Sequence, residues 1–361
     1  MIKIINCKNK NYIKKLKFFL ENRRSGKVID TSVVPKIIKD IKKNKLKALI
    51  KYENKFSKNK KIVPTQREIN LSIKKLDPKI KKAIDFAYSR IFKFHSLQKI
   101  KNIKYIDKYK NKIEYKHVPI QNVGVYVPAN LPSTLLMNVI PAKIAGVKRI
   151  VVANPIVNGT LNSAVMYAAK KCGVKEIITC GGAQAIGSLA YIQKVNKIVG
   201  PGNDYVSKAK QLVFGDVGIE GMIAGPSEIC IVADNKTELN EITTSMLGQS
   251  EHGENSQSIL VTKYGDLINK VRKDLFINLK KLSRKKTISK SLKNHGLIVL
   301  CQNDNQIIDV INEIAPEHLE LNIFNYKKYI NKIYNAGSIC IGKYSPMAIS
   351  DYNVGSNHTL P

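Results

Sequence analysis

From Val123 onward the chain alternates short apolar runs with longer helical stretches, and that alternation limits the possible folds more than any other feature. Residues 123–127, 149–153, 176–180 and 197–199 read as strands, rich in β-branched side chains. Residues 133–146, 162–172, 183–191 and 204–213 carry helical periodicity between and after them. Four β-α units in about 95 residues predict a parallel sheet with crossover helices, because parallel neighbours cannot be joined by a tight turn. A second series follows Ser227: strand 228–233, helix 237–250, strand 256–262, helix 267–279, strand 297–300 and helix 305–314. Two α/β halves in succession predict a cleft between them.

Residues 1–117 have a different texture, helical with a short β ending. Thr31-Ser32 precedes an apolar run (Val33, Ile37, Ile38, Ile41, Leu46, Leu49, Ile50) at helical spacing. Thr65 and Glu68 form a capping-box pattern, and Asp77-Pro78 places a capping side chain before a proline at a helix start. His95 and His117 read as packing or surface residues, as does His295 before Gly296.

The chain's formal net charge is +34, and residues 1–117 hold 35 of its 61 basic side chains against 9 of its 27 acidic ones. Most of the excess therefore lies outside the segments that could carry chemistry. Lysine spread over every predicted helix, alongside many Asn and Ile, reads as compositional drift filling solvated faces. A nucleic-acid surface is the competing reading, and no aromatic residues interleave with a basic stripe to support it. No apolar run is long enough to span a membrane, and the N-terminus lacks the apolar segment of a secretory signal. The six cysteines are scattered without a Cys-x-x-Cys, as reduced cytosolic thiols would be.

Candidate chemistry is sparse and each piece has an ordinary alternative. Gln249 and His252, in Leu247–Glu254, stand three apart, so on a helix they share a face about 5–6 Å apart at Cβ. An amide oxygen beside an imidazole can anchor a cation such as zinc; the alternative is a surface pair. Gly181-Gly182-Ala183-Gln184 and Gly200-Pro201-Gly202-Asn203 each open a helix after a strand, where backbone amides favour anions, although no Gly-x-Gly-x-x-Gly is present. Ser227 sits where one α/β half gives way to the other, as a cleft hydroxyl or a turn residue. In Glu317-His318, Pro316 pushes Ala315 toward an extended conformation, placing the pair on a constrained loop. The imidazole suits proton abstraction at neutral pH, and the adjacent carboxylate, pointing elsewhere, would act on another atom.

Taken together, Ala224-Gly225-Pro226-Ser227-Glu228, Leu247–Glu254, Ala315–Glu320, Ser350-Asp351-Tyr352 and Gly355-Ser356-Asn357-His358 resemble the histidinol dehydrogenase family, over about residues 29–361. The resemblance implies zinc-dependent, NAD-linked oxidation of L-histidinol through L-histidinaldehyde to L-histidine, the final step of histidine biosynthesis, in a cytoplasmic homodimer. It implies Gln249, His252 and Asp351 as zinc ligands, positioning the substrate's amino and imidazole nitrogens. His318 is then the base for the hydroxyl proton and assists the second oxidation, Glu317 activates the water that hydrates the aldehyde, and Ser227 holds substrate; His358 also falls in a matching motif. Tyr126, Gln184 and Asn203 match NAD-contacting positions. The loop Pro128–Thr134 is about three residues shorter than the family's usual form, a departure bearing on nucleotide affinity.

The resulting expectation is two open parallel-sheet domains, incomplete Rossmann-like, with an N-terminal helical extension. Residues 1–25 form that extension, 26–122 plus 227–361 the domain carrying zinc and the catalytic pair, and 123–226 the NAD-binding domain. Relatives continue past the equivalent of Pro361 with a helical tail that embraces the partner subunit and supplies a further zinc-ligand histidine and a substrate-binding glutamate. The chain thus reads as a C-terminally truncated member with three protein zinc ligands, weakened zinc retention and a looser dimer. The remaining readings are a catalytically decayed relative that keeps fold and NAD binding, and a basic nucleic-acid-binding protein.

Overall fold

A computed structural model describes residues 2–24, 29–220 and 227–357. The chain opens with β1 (Lys3–Asn6) and α1 (Tyr12–Arg24). Next come α2 (Val33–Ser57), α3 (Gln66–Lys74), α4 (Pro78–Ser96) and the antiparallel hairpin β2 (Ile103–Ile106) and β3 (Lys112–Tyr115). The first alternating series is β4 (Asn122–Tyr126), α5 (Pro132–Ile144), β5 (Arg149–Ala153), α6 (Ser163–Lys171), β6 (Glu176–Ile178), α7 (Gly182–Tyr191), β7 (Lys197–Val199), α8 (Asp204–Val213) and β8 (Gly218–Ile219). The second is β9 (Glu228–Ala233), α9 (Leu239–Ser250), β10 (Gln257–Thr262), α10 (Gly265–Leu279), α11 (Lys285–His295), β11 (Gly296–Leu300), α12 (Asp304–Ile314), β12 (His318–Asn322), α13 (Lys327–Ile330), β13 (Ser338–Ile341) and α14 (Met347–Ile349). A π-turn, Ser350–Val354, follows.

The fold is α/β with parallel sheets, in two compact units. The first contains the described residues of 2–24 and 227–350, the second those of 29–220 and 351–357. In the second, a five-stranded parallel sheet runs β6-β5-β4-β7-β8. One face buries Tyr126, Val151, Ile178 and Ile198 under α2, α7 and α8, and the other buries Val123, Val125, Val152 and Ile177 under α4, α5 and α6. Sheets covered on both faces need apolar residues at successive positions, which explains the unbroken apolar runs of β4 and β5. In the first unit a six-stranded parallel sheet runs β1-β11-β10-β9-β12-β13. It is covered by α1 and α12 on one face and by α9, α10 and α11 on the other.

Local signals at the helix starts are realised. Glu68 N–H donates to Thr65 Oγ1 at 3.3 Å while Thr65 N–H donates back to Glu68 Oε2 at 2.7 Å, and Asp77 accepts from Lys79 N–H at 2.7 Å ahead of Pro78. All six cysteines are buried thiols, none joined in a disulfide. Among the described residues no helix is long and apolar enough to cross a membrane.

Several expectations need correction. The first 25 residues are no separate helical extension: β1 pairs with β11 as the edge of the six-stranded sheet, and α1 buries Leu16, Phe19 and Leu20 with α12. The stretch 29–122, expected to join the zinc-bearing domain, belongs to the compact unit that holds 123–220. Packing decides this. The apolar face of α2 (Val34, Ile37, Ile38, Ile41, Leu49) shares a core with Ala185, Ile186 and Leu189 of α7, and Ile84 and Ile91 of α4 share one with α5. Gly187 permits the α2–α7 approach, since a Cβ there would already sit 3.2 Å from Ile41 Cδ1. Helix α11 and strands β12 and β13 were also not anticipated.

Candidate functional site

In the first unit β9 and β12 lie side by side in parallel, with His318 opposite Ile229. Their amino ends therefore bring Ser227, Glu228, Glu317 and His318 together. Helix α9 returns antiparallel to the strands and delivers Gln249, in its last turn, to the same end, just before β10 starts at Gln257 opposite Glu228. His318 does not sit on a loop, as expected, but is the first residue of β12 and is buried. Ala315, expected extended, is instead left-handed (φ 49°) where it caps α12, and the chain turns there into the strand.

Glu317 and His318 do not point apart. Glu228 N–H donates to Glu317 Oε2 at 3.1 Å, and this oxygen lies 3.7 Å from His318 Nδ1. Glu317 precedes the regular alternation of β12, so its carboxylate folds back onto the amino end of β9 and stands beside the imidazole. Arg23 of α1 supports this end from below, donating through Nη1 to Glu228 Oε1 at 2.7 Å and to Gln257 Oε1 at 2.9 Å.

Alternation along β12 sends Leu319 and Leu321 into the core shared with α12 and sends His318 and Glu320 to the α9 face. There Glu320 Oε1 accepts from Ser245 Oγ at 3.2 Å and from Met347 N–H at 2.7 Å, and burial pushes its carboxyl pKa up. Two strand residues advance about 6.6 Å and four helical residues about 6 Å. One step from the Glu320–Ser245 contact toward the amino end therefore brings His318 and Gln249 to one level. Gln249 is fully buried, and neither its Oε1 nor its Nε2 has a hydrogen-bond partner. A buried amide left so costs about 1–3 kcal/mol unless a ligand meets it.

Helix α9 ends at Ser250, and His252 lies in the bend beyond, exposed, with its N–H on Gln249 O at 3.3 Å. Asp351 belongs to the π-turn; its side chain, like the whole of His358, lies outside the described residues. Half-buried Ser227 accepts from Gln257 N–H at 3.0 Å through its carbonyl, which starts the β9–β10 ladder.

In the second unit the strand order reverses between β4 and β7, the place where open α/β sheets bind ligands at the carboxyl ends of their strands. Tyr126 ends β4, and Gly200 follows β7 against it. At φ 108° Gly200 is left-handed, and an added Cβ would come within 2.1 Å of Tyr126 O. Gly200 N–H donates to Glu220 Oε2 at 2.9 Å, and Lys210 Nζ binds both Glu220 and the Gly200 carbonyl. Asn203 caps α8 through Val206 N–H at 3.2 Å, so a ligand would meet the N–H donors of its amide. Gln184, in the first turn of α7, is buried and donates through Nε2 to Glu53 Oε1 at 2.9 Å. Tyr126 Oη accepts from Gly182 N–H at 3.3 Å, and burial pushes its phenol pKa up.

The family model of histidinol dehydrogenase matches residues 21–361. The histidinol dehydrogenase of Pelagibacter ubique is 54% identical across the whole of this chain and 86% of its own length. The chain belongs to the histidinol dehydrogenase family. It is accordingly an oxidoreductase. The histidinol dehydrogenase of Clostridium acetobutylicum is 40% identical over 94% of this chain and 81% of its own. The crystal structure of histidinol dehydrogenase from Elizabethkingia anophelis superposes with a TM-score of 0.94 at 35% identity, covering all of this chain and 84% of the other. A methylmalonate-semialdehyde dehydrogenase from Oceanimonas doudoroffii, at 10% identity and TM-score 0.52, shares the fold alone.

The histidinol dehydrogenase resemblance names a metal site that the chain's own chemistry can be tested against. Among the described residues no three His, Cys, Asp or Glu side chains are grouped as a metal cage. The expected set contains an amide, Gln249, and Asp351, whose side chain is undescribed. The partnerless buried amide of Gln249 fits a ligand position awaiting a cation. Sequence reading gave Glu228 and Glu320 no role of their own, and Arg23 escaped it. Glu320 alone left a signal, standing one strand repeat after His318; nothing local marks an arginine that reaches across 205 residues to Glu228.

Proposed function

We propose that the chain catalyses the NAD-linked, four-electron oxidation of L-histidinol through L-histidinaldehyde to L-histidine, the last step of histidine biosynthesis. When bound, NAD would accept the hydride of each oxidation and zinc would supply a Lewis acid to anchor the substrate. Gln249, His252 and Asp351 would hold the metal, Ser227 the substrate, and Tyr126, Gln184 and Asn203 the dinucleotide. His318 takes the hydroxyl proton as the first hydride leaves. Glu317, held by Glu228 N–H next to the imidazole, takes a proton from the water that adds to the aldehyde while His318 returns its proton to the aldehyde oxygen, and the neutral imidazole then accepts a hydroxyl proton of the hydrate in the second oxidation. The catalytic pair belongs to the unit carrying β9–β13, and the dinucleotide residues to the unit carrying β4–β8. A cytoplasmic homodimer is the assembly that the resemblance implies.

The observation that carries this reading is Glu317 standing beside His318 at the end of the sheet where α9 ends with the buried, partnerless Gln249 amide. The test is NADH formation from histidinol, with and without added zinc, in wild type, His318→Asn and Glu317→Gln. His318→Asn is expected to slow the first oxidation by roughly 10²–10⁴-fold. Glu317→Gln should keep the first oxidation and slow turnover of supplied histidinaldehyde. Wild-type rates in both variants would sink the assignment.

A further inference from the structure

Helix α2 carries no recognisable motif, yet Glu53 from this helix is fully buried. Its Oε1 accepts from Gly181 N–H and from Gln184 Nε2, each at 2.9 Å. The next amide, Gly182 N–H, is taken by Tyr126 Oη at 3.3 Å. A helix N-terminus after a glycine turn ordinarily offers such amides to a phosphate. Here oxygens of the protein occupy them, and a carboxyl group already stands where the ligand's anion would be. Burial pushes the Glu53 carboxyl pKa up, opposed by the Gly181 amide and the Gln184 side chain. With Nε2 committed to Glu53, Gln184 keeps its carbonyl oxygen as the atom to offer.

We propose that Glu53 is a positioning residue for the cofactor. Its Oε1 clamps the Gly181 amide and the Gln184 side chain, so that Gln184 meets the dinucleotide as a hydrogen-bond acceptor, for a hydroxyl or amino hydrogen. The Gly181–Gly182 amides take no part in holding the pyrophosphate. This rests on the reading of Gln184 as an NAD residue, and the experiment separates the two.

The variants are Glu53→Leu, which keeps bulk and removes the acceptor; Glu53→Gln, which keeps an acceptor oxygen; Gln184→Leu; and the double Glu53→Leu/Gln184→Leu. Each is assayed in the full chain with histidinol saturating, KM for NAD being separated from kcat, and thermal melting monitors the fold. Glu53→Leu is expected to raise KM for NAD roughly tenfold with kcat changed less than about twofold, and Glu53→Gln to restore KM to within about twofold of wild type. The double variant should be no worse than the worse single, because one residue acts through the other. An unchanged KM in Glu53→Leu, or penalties that multiply in the double, overturns the proposal. Should Glu53→Leu fail to fold, Glu53→Asp withdraws the carboxylate by one methylene and is read the same way. If Gln184→Leu leaves KM for NAD unchanged, the cofactor role of Gln184 falls and this proposal with it. If Gln184→Leu raises KM while the Glu53 variants do not, only the role of Glu53 falls.

Discussion

Arg23 shows how much a single side chain can carry at the amino end of the six-stranded sheet. Its guanidinium is almost wholly buried and joins Glu228 to Gln257 at the amino ends of adjacent strands. Arg23→Met would leave that carboxylate without its partner, at an expected cost of about 3 kcal/mol, seen as a lower urea midpoint with unchanged m-value. Glu53 supplies a pH signature. Its folded pKa is raised above the unfolded value, so its contribution to stability is fully present below the ordinary carboxylate pKa of about 4.3 and is lost as pH rises through the raised value. Urea titrations from about pH 4 to about pH 7 should therefore show wild type losing stability relative to Glu53→Gln. Of the side chains that matter at this scale, Gln249, Glu317 and His318 were visible because each sits in a short distinctive run. Arg23 and Glu53 were not, because their partners are 205 and 128 residues away in the chain and only folding makes them neighbours.

Elements were legible to the extent that their causes are local. Helix α3 begins where Thr65 and Glu68 satisfy each other's backbone amides, and Thr65→Ala should cost about 1 kcal/mol by chemical denaturation. The β7–α8 turn depends on a backbone that only glycine tolerates. Gly200→Ala should distort the carboxyl end of β4 at Tyr126, raising KM for NAD at least severalfold and lowering the melting temperature. Strand β12 went unread because Glu317-His318-Leu319-Glu320-Leu321 alternates polar with apolar residues, the pattern of a half-exposed strand or a loop. Its polar positions are buried all the same, Glu320 against Ser245 and His318 beside Glu317, so burial contradicted the polarity that local reading relies on. The Gln249–His252 pair straddles a helix end: α9 stops at Ser250, and His252 lies in the bend beyond it.

At the scale of the whole molecule, 61 basic against 27 acidic side chains make the surface strongly positive, while the ion pairs that organise the sites are buried or half-buried. Exposed lysine charge is screened over about 8 Å at physiological ionic strength. Duplex DNA should therefore be retained only at low salt, without sequence preference, and histidinol oxidation at about 0.15 M salt should be insensitive to it. Sequence periodicity settled that the chain is α/β with parallel sheets, because a strand buried on both faces and a crossover helix each demand an apolar spacing of their own. Family motifs settled which chemistry to look for. Tertiary structure alone decided that α2, α3 and α4 pack with the β4–β8 sheet, that β1 and α1 complete the other, and that a carboxyl from α2 sits at the head of α7. Those outcomes depend on which apolar faces fit one another at a distance, and no local pattern of residues encodes that fit.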